Sequence, residues 1–146
     1  MLSLPLSHVL VPIDFSAESP AVIQTALELA DGPEAVRVLH VLYSLERLTH
    51  GAPWPEVNDE GRATATRERF EQFRRDNGLP ELRFDVLLGD PGVKITEHAR
   101  ELHADLIVIA SHGHHGLKRL LLGSVAERIL RHAHCPVLVL RRGNGE

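Results

Sequence analysis

The sequence predicts a doubly wound α/β fold built on a parallel sheet, and three observations carry that prediction. Short runs rich in Val, Ile and Leu alternate along the chain with longer stretches of helical periodicity. Several of these runs are nearly continuous in apolar residues, as strands covered on both faces are. The helical stretches each carry one apolar face to lay on a sheet, and right-handed crossovers between them set the strands parallel.

The first strand is His8 to Ile13 (HVLVPI), with Asp14 at its tip. A helix follows from Ser19 to Ala30, with Ser19 as a candidate cap, Pro20 at the first helical position and Gly32 just past the end. Val22, Ala26 and Leu29 mark its buried face. Val36 to Leu42 is the second strand. The connection Ser44 to Glu60 is long and irregular, punctuated by prolines and a glycine, and reads as a surface loop or a mobile flap. The second helix, Glu60 to Asn77, is strongly charged apart from Phe70 and Phe73, so a narrow stripe meets the sheet and Gly78 stops it. Arg83 to Leu88 is the third strand. A third helix starts near Pro91 and repeats Ile95, Ala99 and Leu102, and Asp105 to Ala110 is the fourth strand. The last helix opens at Gly123 or Ser124 and repeats Val125, Ile129 and Ala133, before a final strand from Pro136 to Arg141.

The 146 residues are enough for one core, so residues 1–146 are read as a single domain without internal repeats. A formal charge of −4, with both signs interspersed, argues against a general nucleic-acid binder, which needs a basic face. No apolar stretch reaches the roughly 18 residues of a membrane span, and the first residues lack the basic start and small-residue cleavage site of a signal peptide. A soluble cytoplasmic protein is expected. Cys135 is the only cysteine, so no internal disulfide can form.

In sheets of this class small ligands bind outside the carboxyl ends of the strands, where neighbouring strands send their loops to opposite faces. Asp14 lies at one such end, and the loop after Ala110 lies at another. If strands one and four are neighbours, both meet at one crevice. Gly113, Gly116 and Gly123 remove side chains where the backbone has to approach an anion. Gly123 and Ser124 then open a helix whose first N–H groups have no partner within it, a setting that suits phosphate. The alternative is that Ser124 and Glu127 form an S-x-x-E capping box and the glycines only shape a turn. The two roles compete for the same donors.

The segments VLVPIDFS, LHVL and ASHGHHGLKRLLLGSVAERILRHAHCPVLVLR together resemble the universal stress protein family, in its nucleotide-binding branch. The family pattern in this loop is G-x2-G-x9-G-[ST]. Gly113, nine residues, then Gly123 and Ser124 match its latter part, while Ala110 stands at the first glycine and His114 where many members carry Arg or Lys. The resemblance implies a Rossmann-like sheet of five parallel strands in the order 3-2-1-4-5, which makes strands one and four neighbours. It also implies ATP as ligand, with adenine near Val41 and the end of strand one, and Pro12, Ile13 and Asp14 flanking base and ribose. Asp14 would accept from ribose hydroxyls, and the amides of Gly113, Gly123, Ser124 and Val125 would receive the phosphates. Magnesium or manganese would ride on the phosphate oxygens rather than on protein ligands. A homodimer joined by antiparallel pairing of the last strand, Pro136 to Arg141, is implied as well, with Arg141 and Arg142 limiting further growth.

The histidines, ten in all, invite a transition-metal reading, since imidazole suits zinc or nickel. The last helix would carry His132 and His134 away from His112, His114 and His115, so no dedicated metal site is expected. No P-loop, no dinucleotide fingerprint after strand one and no nucleophile elbow is present. Lys118 and Arg119 are the only cations near the loop for clamping a leaving phosphate, and they read equally as surface charge. The expectation is therefore a nucleotide-dependent sensor or regulator of the stress response, with an unnamed client and slow or absent hydrolysis. A stress-induced interaction module that ignores nucleotide is the alternative.

Overall fold

The computed structural model describes residues 2–43, 58–111 and 122–141. Its strands are β1 (Val9–Pro12), β2 (Val36–Leu42), β3 (Arg83–Leu88), β4 (Leu106–Ala110) and β5 (Val137–Leu140). The helices are α1 (Ser19–Leu29), α2 (Asp59–Asp76), α3 (Pro91–Glu101) and α4 (Ser124–His132), with a 3-10 turn at Pro33–Ala35. All strand pairs are parallel, in the order β3-β2-β1-β4-β5. Val9 lies between Val36 on β2 and Leu106 on β4, and β5 is an edge paired only with β4.

Alternation along each strand divides the core in two. On one face Val9, Val11, Val36, Val38 and Val108 pack with Val22, Ile23 and Ala26 of α1 and Phe70 of α2. On the other, Leu10, Leu39, Val41, Ile107 and Ile109 pack with Ile95 and Ala99 of α3 and Ala126 and Ile129 of α4. Central strands covered on both sides have no polar face to present, which is why β1 and β4 read as continuous apolar runs and β2 is interrupted only by Arg37 and His40. All four phenylalanines of the chain gather on the α1/α2 face, Phe70 stacked on Phe84 at 4.1 Å with 7° between ring planes.

The helix ends refine the sequence reading. Ser19 does not cap α1. Glu18 already has helical φ and ψ (−82°, −16°) and is the N-cap, while Ser19 sits inside the first turn, 3% exposed. The Ser19 hydroxyl is directed at Asp14 instead, donating to its Oδ1 at 3.5 Å. Leu29 is only partly buried and Ile23 takes the deeper place on that face. Asn58 caps α2 by accepting from the Gly61 amide at 2.6 Å, so the helix begins at Asp59. Residues 44–57 of the preceding connection lie outside the described residues. Gly78 ends α2 in the left-handed region at φ 63°, as its position predicted. Asp90 caps α3, accepting from Val93 N at 3.2 Å.

Candidate functional site

With β1 and β4 adjacent, the chain leaving β1 passes to α1 on one face and the chain leaving β4 returns through α4 on the other. The two exits diverge at the carboxyl ends of the strands, the place where sheets of this class hold small ligands. Pro12 closes β1, half-buried, and Ile13 beyond it is 7% exposed, with its N–H donating to the Leu39 carbonyl at 2.8 Å. Asp14 is half-buried, and its Oδ1 accepts from the Ser16 amide at 3.0 Å and from the Ser19 hydroxyl at 3.5 Å. Val41, near the end of β2, is buried against the α3/α4 face.

Ala110 closes β4, half-buried. Ser111 follows, its N–H donating to Leu140 O on β5 at 2.9 Å, and its carbonyl accepts from Gly123 N at 2.9 Å. That second bond brings the head of α4, with Gly123, Ser124 and Val125, back to the end of β4. The structure thus brings Asp14 and the Gly123–Ser124–Val125 turn to adjacent strand ends. Gly113, Gly116, His112, His114, His115, Lys118, Arg119 and Arg142 lie outside the described residues.

The capping box is absent. Gly123, not Ser124, is the N-cap, and no side chain caps it. Glu127 N donates to Gly123 O at 2.9 Å, while the Glu127 carboxylate turns along the helix to Arg131 at 2.9 Å. A capping box requires the serine one position earlier, in extended backbone; here Gly123 holds that conformation (φ −62°, ψ 157°). The competition between cap and phosphate therefore does not arise.

Three residues of the β1 turn and its floor carry no signal in the sequence. Phe15 has φ 61°, a left-handed conformation that a bulky side chain adopts at a cost of about 1–2 kcal/mol. Its ring meets His40 edge-on at 5.1 Å, Phe73 at 5.6 Å and Phe84 at 6.3 Å, and the Arg69 guanidinium lies 4.3 Å from its centre. His40 Nδ1 is 2.7 Å from the Ile13 carbonyl. A carbonyl only accepts, so that nitrogen carries the proton. Burial pushes the His40 pKa below its ordinary value, with Arg69 adding to the effect; the Ile13 hydrogen bond and the Asp14 charge oppose it. The Ser16 hydroxyl is buried without a hydrogen-bond partner. Nothing in the string DFS distinguishes a left-handed phenylalanine from an ordinary one, since glycine and asparagine are the usual markers.

Among the described residues, no group of three or more His, Cys, Asp or Glu side chains is placed to hold a metal ion, and no helix is long and apolar enough to cross a membrane.

Comparison with known proteins agrees with this architecture. The model of the universal stress protein family matches residues 5–141. Universal stress protein A homolog 1 of Coxiella burnetii is 34% identical over 139 residues, spanning 91% of this chain and 94% of that protein. Universal stress protein MJ0531 of Methanocaldococcus jannaschii is 50% identical over 62 residues, which are 42% of this chain and only 36% of that relative's length. Among solved structures, MJ0577 superposes with a TM-score of 0.74 at 27% identity, over 97% of this chain and all (100%) of that one. A universal stress protein from Archaeoglobus fulgidus in complex with dAMP shares the fold, with a TM-score of 0.64 at 23% identity, over 94% of this chain and 100% of that one. A five-stranded parallel sheet in this order and a family match across nearly the whole length lead to one conclusion: the chain belongs to the universal stress protein family.

Proposed function

We propose that this universal stress protein binds an adenine nucleotide, ATP in the first instance, in the crevice between the ends of β1 and β4, and acts as a nucleotide-dependent sensor or regulator with slow or no hydrolysis. The single observation that carries the reading is the Gly123–Ser111 hydrogen bond. It sets a helix head with no side-chain cap at the strand end beside the one that carries Asp14. Uncapped amides at a helix start offer donors and partial positive charge to phosphate. Both internal hydrogen bonds of Asp14 fall on Oδ1, which leaves Oδ2 for a ribose hydroxyl. Pro12, Ile13 and Val41 supply apolar surface for the base, and Gly113 and Gly116 belong to the same loop in sequence. The bound complex of the Archaeoglobus fulgidus protein shows that the fold accommodates an adenine nucleotide in that relative.

A divalent cation enters with the nucleotide. The donor set among the described residues fits that arrangement, because Asp14 is held by hydrogen bonds within its own turn and belongs to no group of three or more side chains placed to hold a metal. Magnesium or manganese would neutralise phosphate charge there, held by phosphate oxygens and water. The chain's own groups bind and orient. We also propose a homodimer through β5, whose residues Val137–Leu140 are half-buried at an open edge and whose paired form would cover them.

The test is thermal. At a hundredfold excess over its Kd a single-site ligand stabilises by about 2.7 kcal/mol, a rise of about 9 °C in Tm for a chain of this length. ATP with magnesium should produce that shift, and Gly123→Val should abolish it while lowering the unliganded Tm by only about 3 °C, since φ of −62° is open to any residue and the cost is that of a poorer N-cap. A wild-type protein indifferent to millimolar ATP, AMP and ADP would overturn the reading and favour a nucleotide-independent interaction module.

A further inference from the structure

We infer that His40 is the positioning residue of the crevice, holding the β1 turn, through the Ile13 carbonyl and the Phe15 ring, in the form that presents Asp14. The inference rests on the nucleotide reading above and deepens it. The turn is not a relaxed one. Phe15 is left-handed, the Ser16 hydroxyl is buried without a partner, and Asp14 accepts from the chain two residues on. Such conformations persist only where the surroundings over-determine them. Two contacts do so here. His40 Nδ1 grips the Ile13 carbonyl at 2.7 Å, and the His40 ring forms one wall of the aromatic pocket that receives Phe15, closed above by Arg69 from α2.

The consequence for Asp14 follows from peptide geometry. A trans peptide is planar, with its carbonyl and N–H pointing opposite ways. Fixing the Ile13 carbonyl on the His40 ring therefore turns the Asp14 N–H away from that ring and sets the orientation in which Asp14 begins. His40 acts on Asp14 through the Ile13 carbonyl and the Phe15 ring. Its own charge acts on both neighbours that face it: a protonated ring draws the Asp14 carboxylate and repels Arg69 from its place over Phe15. Either displacement changes what Asp14 offers to a ribose, so ligand affinity and the His40 proton are linked.

The experiment compares wild type, His40→Leu and His40→Asn by calorimetric titration with AMP and with Mg-ATP between pH 5 and 8. The Asn side-chain amide can replace the Nδ1 donor but does not titrate. His40→Leu should weaken both nucleotides by about tenfold or more. His40→Asn should stay within a few-fold of wild type at pH 7.5, and should lose the decline in affinity that wild type shows as pH falls below 6.5. In parallel, NMR of the nucleotide-free protein should show the backbone amides of Asp14 and Phe15 shifting with the His40 titration in wild type and not in His40→Asn. No nucleotide binding by wild type defeats the functional reading. Equal binding by wild type and His40→Leu, or Asp14 and Phe15 amides that ignore the His40 titration, defeats the inference whatever the ligand.

Discussion

Replacing Phe70 with alanine tests how α2 is held. This helix is charged over most of its length, and Ala63 and Phe70 are its only buried residues. Phe70 is 1% exposed, stacked face to face on Phe84 and within 6.1 Å of Phe73. Truncating a buried phenylalanine costs about 3–5 kcal/mol in lost transfer energy and residual cavity. The stacked pair adds to the loss, since aromatic pairs are worth about 0.5–1.5 kcal/mol beyond their area. Collapse of α2 onto the gap subtracts from it, because one side of the helix is solvated and free to shift. About 4 kcal/mol is the expected balance. For a chain of 146 residues this lowers Tm by about 13 °C. Urea unfolding followed by far-UV circular dichroism measures the loss directly, with Phe73→Ala, at the half-buried rim, as a milder companion. A Phe70→Ala loss under about 1.5 kcal/mol would refute the view that one ring anchors this helix.

Four further outcomes are expected. Burial lowers the His40 pKa, so below 6.5 the unfolded chain binds that proton more readily than the native protein; the stability from this group is complete above pH 6.5 and is lost as pH falls toward the lowered native value. Urea midpoints at pH 5.5 and 7.5 should show this fall in wild type, and a smaller one in His40→Asn. Asp90→Ala removes a working cap and should cost about 1 kcal/mol, whereas Ser124→Ala should cost under about 0.5 kcal/mol because no capping box exists to lose; equal losses in denaturant titrations would reinstate the box. Gly92→Val should destabilise by about 2 kcal/mol, because a Cβ there would come within 2.5 Å of Arg128 Cδ and 3.1 Å of its Cβ, forcing α3 and α4 apart. The Cys135 thiol is pushed up by burial and by the Asp105 charge, so iodoacetamide should modify it more slowly at pH 7 than free cysteine, and faster once the protein is unfolded in urea.

Periodicity made the scaffold legible. Near-continuous Val, Ile and Leu in β1, β2 and β4 announce strands covered on both faces, and Pro20, Gly78 and Pro91 mark helix ends because their backbone constraints are local. The strand order came from family resemblance, since no local pattern states which strands lie side by side. The candidate site was legible where chemistry coincides with a strand end, at Asp14 and at Gly123–Ser124. The misplaced cap at Ser19 and the unformed box at Ser124 share a cause. Each depends on a one-residue choice of where a helix begins, which local propensity leaves open: the Ser19 hydroxyl goes to Asp14, and Gly123 rather than Ser124 meets the Ser111 carbonyl. His40 and Phe15 were invisible for a related reason. A histidine in a strand and a phenylalanine after an aspartate look ordinary until the sheet sets one above the other.

The Ser111–Gly123 bond also bears on how this molecule can diverge. It holds Ser111 and Gly123, the residues that flank positions 112–122, at one place on the scaffold. Lengthening a chain between two joined ends costs only logarithmically in entropy, about 0.6 kcal/mol for each doubling. A change of length between two anchors already joined is therefore a small entropic step, and evolution has room to vary that span without first rebuilding the strands that carry the anchors.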